Sequence, residues 1–335
     1  MTTNGAPRPR RALVTGCAGF VASHLSERLV DEGVEVVGVD CLTDYYPAER
    51  KLANVERLLD EPAFTMVRSD LSVDEVEPLV EGVDVIFHLA AQAGVRGSFG
   101  ETFASYVRHN IHATQRLLEA AATSEWPPKV VYASSSSVYG SAERLPTPET
   151  TSLRPVSPYG VTKVSTEGLA HAYHRSHGLP VVGLRLFTVY GPRQRPDMAF
   201  TRFLTAAIEG RPLDVLGDGR QERDFTYVGD VVDGFVAAAE RGLPGRVYNL
   251  GGGRPVALAD VIATIGELLG CRPRVRHHPV ARGDVRATCA DARLAAEELG
   301  FVPSTPLSDG LAAQVAWALE LFERVEVVSA PVPAS

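Results

Sequence analysis

Lysine is nearly missing from this chain. Lys51, Lys129 and Lys163 stand among 33 basic residues, the rest being arginine. That reads as a compositional bias rather than a design for binding phosphate. Acidic residues number 41, so the net charge is -8 and no basic stripe offers itself to a nucleic-acid backbone. A nucleic-acid partner is not expected, although a local group of arginines can still hold a small anion against the global sign. Cysteine is scarce as well. Cys17, Cys41, Cys271 and Cys289 form no CxxC pair and no Cys/His group of metal spacing, so no metal is expected. Their scatter fits a reducing, cytoplasmic setting. No apolar run approaches the roughly 18 residues of a membrane span. The apolar stretch after Arg8, Arg10 and Arg11 is broken at Thr15-Gly16, short of the ~7 residues that a signal-peptide core needs. No internal repeat is visible.

What is present is a chain of 335 residues, 45% apolar and 22% charged, ample for a buried core. Short apolar runs alternate with helical patterns. Strands are predicted at 12–16, 34–40, 64–70, 83–91, 129–135 and 180–190. Helices are predicted at 20–31, 48–59, 73–80, 102–123 and 157–177. This alternation implies an α/β fold with a doubly wound parallel sheet, covered on both faces and binding ligands at the carboxyl ends of its strands. Past residue 190 the loops lengthen and fill with Pro, Gly and Arg. We therefore divide the chain into a cofactor domain (1–190, with a return of 230–252) and a smaller α/β substrate domain (191–326). A small, apolar tail (327–335) is expected to be disordered.

The loop Gly16-Cys17-Ala18-Gly19-Phe20-Val21-Ala22 follows a predicted strand and opens a predicted helix. Gly16 permits a tight turn, Gly19 a close approach of backbone to a pyrophosphate, and Phe20 and Val21 begin the helix whose N–H groups favour anions. Asp40 ends the next strand, where a carboxylate can accept from an adenosine ribose diol. No arginine follows it immediately, which favours NAD over NADP. Asp70-Leu71 and Leu89-Ala90-Ala91-Gln92 end the next two strands and extend the same cofactor edge; Asp70 equally suits a helix N-cap. Tyr159 and Lys163 lie one helical turn apart on one face. A free phenol with a pKa near 10 is a poor base, and an ammonium beside it favours the phenolate. The same spacing also suits two ordinary surface residues. Ser134 to Ser137 end a strand; they read as a polar strand end or as hydroxyls able to relay a sugar proton.

The order of these motifs resembles the extended short-chain dehydrogenase/reductases that modify nucleotide sugars, over about Arg11 to Leu321. The resemblance rests on the glycine loop, His88-Leu89-Ala90-Ala91, Asn110, Ser137-Val138-Tyr139-Gly140, Tyr159 with Lys163, Val189-Tyr190-Gly191-Pro192, and Gly217-Asp218-Gly219 with Arg223-Asp224-Phe225. It implies a Rossmann-type sheet, NAD as cofactor, and catalytic positions at Ser135, Tyr159 and Lys163. It also implies a structural role for Asn110 and a nucleotide-diphosphate contact at Arg223. Ala22 and Ala113 depart from the usual glycines but stay small. The resemblance further implies a homodimer through the helices at 102–123 and 157–177.

Members of this family share removal of the O4 proton and the C4 hydride, giving a 4-keto sugar. Dehydratases resemble one another in carrying Asp-Glu after the catalytic serine, and decarboxylases carry Glu; this chain has Ser136-Ser137. Return of the hydride to the other face, an epimerisation, is the expected outcome. Thr188, Arg195, the Ala91-to-Arg96 segment and Asp44-Tyr45-Tyr46 are similar to the UDP-glucuronate 4-epimerases. A 4-keto uronate loses CO₂ if its carboxylate bond aligns with the ketone. Ser136, Ser137, Thr188 and Arg195 are the candidates to pin that carboxylate away from alignment. Arg195 equally suits a diphosphate contact or the surface. Arg96 joins the expected substrate contacts. Arg223 and Arg282 are candidates for the diphosphate, and Asp284 for the ribose or an arginine partner; each also suits a structural ion pair. His277-His278 reads as packing or surface polarity. A neutral-sugar 4-epimerase, a uronate decarboxylase and a silent NAD-binding regulator remain alternatives.

Overall fold

The computed structural model describes residues 9–280 and 285–329, with side chains to residue 323. Its strands in chain order are β1 (Arg11–Thr15), β2 (Glu35–Asp40), β3 (Phe64–Arg68), β4 (Val85–His88), β5 (Lys129–Ser135), β6 (Val181–Leu186), β7 (Thr188–Tyr190), β8 (Leu213–Leu216), β9 (Glu222–Tyr227), β10 (Val247–Leu250), β11 (Pro255–Ala257) and β12 (Val275–His278). Seven of them form one sheet in the order β10-β6-β5-β4-β1-β2-β3, parallel throughout. The strand order reverses between β1 and β4, and a crevice opens there at the carboxyl ends. The remaining strands form two smaller sheets, β11-β9-β7 and β12-β8.

Helices cover both faces because alternate strand residues are apolar on each. Along β1, Ala12 and Val14 pack with helix α1 (Phe20–Asp31), while Leu13 packs on the other face. In chain order the other helices are α2 (Ala48–Ala53), α3 (Glu77–Val80), α4 (Phe103–Tyr106), α5 (Ala113–Thr123), α6 (Pro158–His177), α7 (Ala199–Ile208), α8 (Val228–Arg241), α9 (Leu258–Leu268), α10 (Arg293–Leu299) and α11 (Leu307–Ser329). α1 and α8 share one apolar core; α5, with Ala170 and Tyr173 of α6, lies in the core opposite. A third core joins α7, β8, α9 and α11 through Phe200, Leu204, Val215, Ile265 and Leu311.

Several predicted elements end elsewhere, for physical reasons. The predicted helix at 73–80 forms only from Glu77, because Pro78 is tolerated only in a first turn. The predicted helix at 48–59 is α2 followed by a separate 3-10 segment, Glu56–Asp60. The predicted helix at 102–123 is interrupted by a π-helical segment, Val107–His112. The apolar run at 180–190 divides at Phe187 into β6 and β7, which serve different sheets. α11 extends to Ser329, three residues into the tail for which disorder is expected. His277 and His278 lie on β12, where His278 bonds Asp214 at 2.8 Å and His277 bonds the Gly217 carbonyl. Among the described residues, no helix is long and apolar enough to cross a membrane.

Candidate active site

The crevice is a cleft of about 420 Å³. Its lining brings together Gly16, Gly19, Phe20, Val21, Asp40, Asp70, Leu71, Leu89, Ala90, Ala91, Gln92, Ser135, Ser136, Ser137, Tyr159, Lys163, Thr188 and Arg195. Arg96 and Arg223 do not line it. Arg96 is exposed on a 3-10 turn, Arg96–Ser98. Arg223 lies on β9, where its Nη1 donates to the carbonyls of Glu222 and Arg286. Arg282 and Asp284 lie outside the described residues.

At the glycine loop, Gly16 has φ +72°, and a Cβ there would stand 2.9 Å from the Ala90 backbone. The loop is therefore pressed against the end of β4 with no room for a side chain. Its amides fold back on β2: Gly16 N–H donates to the Val39 carbonyl at 2.6 Å, and Gly19 N–H to the Gly16 carbonyl at 2.8 Å. The N–H groups of Phe20, Val21 and Ala22 precede the first helical hydrogen bond of α1 and are free for an anion. Asp40 accepts from the amides of Ala18 (3.2 Å) and Leu42 (2.8 Å). Burial pushes its carboxyl above the ordinary value, while those amides and Lys51 oppose the change.

Asp70 is not a helix cap. Its carboxylate takes the Ser72 amide (2.9 Å) and hydroxyl (2.6 Å) in a side-chain turn, and pairs with Arg108 at 2.6 Å. Cys41, Asp70 and His109 bring their ligand atoms within 4.8 Å of one another, a convergence that no sequence spacing signals. Asp70 is already engaged by Ser72 and Arg108, and the three residues line the cofactor end of the cleft.

The chemical end is built by β5 and α6. α6 begins as its sequence dictates: the Ser157 hydroxyl accepts from the Gly160 amide at 3.1 Å, Pro158 occupies the first turn, and Gly178 closes the helix at φ +70°. A Cβ at Gly160 would stand 2.6 Å from the Ser137 carbonyl, so glycine lets α6 approach the serine turn. The serines divide their work. Ser134 donates to buried Glu167 at 2.5 Å, while the Ser135 hydroxyl accepts from the Ser137 amide at 3.1 Å. Glu167 pairs with Arg185 through two bonds (2.9 and 2.7 Å) beneath β5.

Lys163 donates to the Ala133 carbonyl at 2.8 Å, and its Nζ lies 6.0 Å from the centre of the Tyr159 ring. Burial pulls the Lys163 ammonium down to about 8, against the pull of Glu167. The expected depression of the Tyr159 phenol by Lys163 is not found. Burial raises the phenol above its ordinary value, and the groups acting the other way are Arg195 and Ser135. Desolvation of the anion outweighs both.

The sequence singles out Asn110, His88 and Arg195 but not the bonds that hold them. Asn110 sits in the π segment. Its side chain exchanges two hydrogen bonds with the Gln92 backbone (2.7 and 3.0 Å) and donates to Thr162 (2.9 Å). Its carbonyl accepts from the Thr114 and Thr166 hydroxyls, which satisfies the broken helical ladder. His88 is buried between Thr15 and Thr114, its ring nitrogens 2.8 and 2.9 Å from the two hydroxyls. Arg195 is gripped side-on by Asp197, with Nε and Nη2 each 3.0 Å from a carboxylate oxygen. Two-residue separation and mixed exposure gave that pair no periodic signal. Among the described residues lining the cleft, the carboxylates are Asp40 and Asp70, both at the cofactor edge.

Residues 12–251 match the family model of the NAD dependent epimerase/dehydratase family. An uncharacterized UDP-glucose epimerase of Bacillus subtilis is 44% identical over 315 residues, spanning 93% of this chain and 99% of that protein. A probable UDP-glucuronate 4-epimerase of Rhizobium meliloti is 38% identical, spanning 94% and 98%. The crystal structure of UDP-glucuronic acid 4-epimerase from Bacillus cereus, in complex with UDP-glucuronic acid and NAD, superposes with a TM-score of 0.90. It is 40% identical and covers 93% of this chain and 99% of that one. With its glycine loop, Asp40 and the Tyr159/Lys163 pair in one crevice, the chain uses NAD and belongs to the NAD dependent epimerase/dehydratase family.

Proposed function

We propose that this protein inverts C4 of UDP-glucuronate, giving UDP-galacturonate. The observation that carries the reading is the distribution of charge in the cleft. Beside Tyr159 stand Ser135, Ser136, Ser137, Thr188 and Arg195, and the lining carboxylates lie at the opposite end. A dehydratase needs an acid and a base beside the 4-keto sugar, and this end of the cleft offers hydroxyls and a cation.

The cofactor edge suits a dinucleotide: Gly16 leaves no Cβ to obstruct the strand crossing, α1 presents free amides, and Asp40 ends β2. NAD, when bound, accepts the C4 hydride and returns it. Tyr159 takes the O4 proton, and Ser135 bridges the sugar hydroxyl to the phenol. Lys163, fixed on the Ala133 carbonyl, holds its ammonium 6.0 Å from the centre of the Tyr159 ring. Arg195 holds the C6 carboxylate, with Thr188, Ser136 and Ser137 as further donors. Turnover of the 4-keto sugar would present its other face to the returning hydride while Tyr159 gives the proton back to O4, and the reaction is redox neutral.

The name of the Bacillus subtilis relative favours a second reading, a neutral UDP-glucose substrate. The test follows purified protein with UDP-glucuronate and NAD by NMR. UDP-galacturonate in large excess over pentose nucleotide supports the uronate reading. No conversion of UDP-glucuronate, with turnover of UDP-glucose instead, overturns it in favour of the neutral sugar.

A further inference from the structure

We propose that Asp197 is a positioning residue that fixes which edge of Arg195 meets the substrate carboxylate, and so decides whether the 4-keto sugar is epimerised or decarboxylated. The inference rests on the uronate reading above.

Arg195 reaches the reacting end of the cleft, since it lines the cleft with Tyr159 and its charge acts on the phenol. A guanidinium on a flexible stem would normally present any of its five N–H groups. Here Asp197 takes Nε and Nη2 in a side-on fork and leaves Nη1. Asp197 is itself braced. The Tyr45 hydroxyl donates to its Oδ2 at 3.1 Å, and the Tyr45 ring lies 6.0 Å from the guanidinium carbon. Tyr45 in turn lies on Gly94, where a Cβ would stand 2.5 Å from its hydroxyl. The Gly94 carbonyl accepts from Tyr106 at 2.8 Å, and Tyr106 meets Tyr159 edge-on at 6.3 Å. A continuous line of contacts therefore runs from Asp197 to the catalytic phenol.

The chemistry makes this orientation matter. In the 4-keto uronate, the C5–C6 bond breaks if it lies parallel to the ketone π system. Its electron pair then moves to O4 as an enolate, CO₂ leaves, C5 takes up a proton, and the returning hydride gives a pentose nucleotide. A carboxylate held against one fixed edge of Arg195 keeps the C5–C6 bond near one torsion. An unbraced Arg195 follows the carboxylate as it turns.

The test is the ratio of pentose nucleotide to galacturonate nucleotide, read by NMR from the full-length protein with NAD and UDP-glucuronate. A ratio does not depend on how much of a variant folds. Asp197→Asn is expected to raise it about tenfold, the scale of one lost charge-assisted contact. Asp197→Glu is expected to restore part of the wild-type ratio, and Tyr45→Phe to shift it in the same direction as Asp197→Asn but less. An unchanged ratio in Asp197→Asn, whatever its rate, overturns the proposal. If Asp197→Asn does not turn over, an unchanged ratio in Tyr45→Phe overturns it instead. A wild-type protein that leaves UDP-glucuronate untouched refutes the functional reading itself, and that result is distinct from an unaltered ratio in the variants.

Discussion

His88 gives the sharpest test of the buried architecture beneath the cleft. The Ala90 amide donates to the Thr15 hydroxyl oxygen at 3.1 Å, so the Thr15 proton points to His88 Nδ1 at 2.8 Å. Nε2–H then donates to Thr114 at 2.9 Å, and Thr114 passes its own proton to the Asn110 carbonyl at 2.7 Å. This assignment uses each hydroxyl once as donor and once as acceptor, and it requires a neutral imidazole. A second ring proton would strand the Thr15 hydroxyl and place a charge in a site 4% exposed, facing Lys163. Burial pulls His88 from 6.5 to about 3, and Lys163 acts in the same direction. The unfolded chain therefore binds this proton first. The stability that His88 contributes is whole above pH ~6.5 and is lost as pH falls from there toward ~3. At 1.36 kcal/mol for each tenfold in proton affinity, about 2 kcal/mol is gone by pH ~5. Urea unfolding of the wild type and of His88→Gln, each at about pH 8 and about pH 5, isolates the effect. His24, drawn to about 4 by burial and by Arg193, adds its own acid sensitivity but cancels in the comparison. The variant starts less stable, yet its loss on acidification should be smaller than the wild type's by about 2 kcal/mol. Equal losses in both proteins would refute the neutral-chain reasoning.

At the glycine loop, Gly16→Ala places a methyl against the Ala90 backbone at positive φ; calorimetric titration should show NAD affinity down at least ~tenfold, with melting lowered. α6 leaves Val161 46% exposed, and the π segment between α4 and α5 leaves Val107 38% exposed. We expect these to meet a second copy, so sedimentation should give a homodimer, and a single species of monomer mass would remove that expectation.

Much of this site was legible because a parallel sheet sends every strand's carboxyl end to one edge. Locating the ends of β1, β2, β4 and β5 in sequence was nearly enough to assemble Gly16, Asp40, Gln92 and Ser135. α6 was equally open to reading, since Ser157, Pro158 and Gly178 mark its ends by local chemistry alone. What stayed hidden was non-local. The run from Pro180 to Tyr190 has one texture but crosses two sheets, and the Phe187 amide, bonded to the Leu250 carbonyl, is the hinge. Arg223, expected to meet a diphosphate, lies on β9 and outside the cleft lining, a placement that its motif does not report. Its neighbour Asp224 is fully buried and holds the amides of Gly252, Gly253 and Ala290. Tyr45 and Asp197 meet across 152 positions, a pairing that neither periodicity nor motif spacing reports.

The placement of β10 has a consequence for how the chain is made. This strand completes the seven-stranded sheet against β6, yet three other strands are translated between them. Until β10 arrives, β6 carries an unpaired ladder, and Tyr139 lacks the Asn249 side-chain oxygen Oδ1 that accepts from its hydroxyl at 2.7 Å. The half of the chain that carries the dinucleotide fingerprint thus leaves the ribosome with a sticky edge and an unfinished polar interior. Its safe interval is governed by the synthesis of the following segment, so a slow stretch of translation between β6 and β10 would be felt as aggregation rather than as lost catalysis.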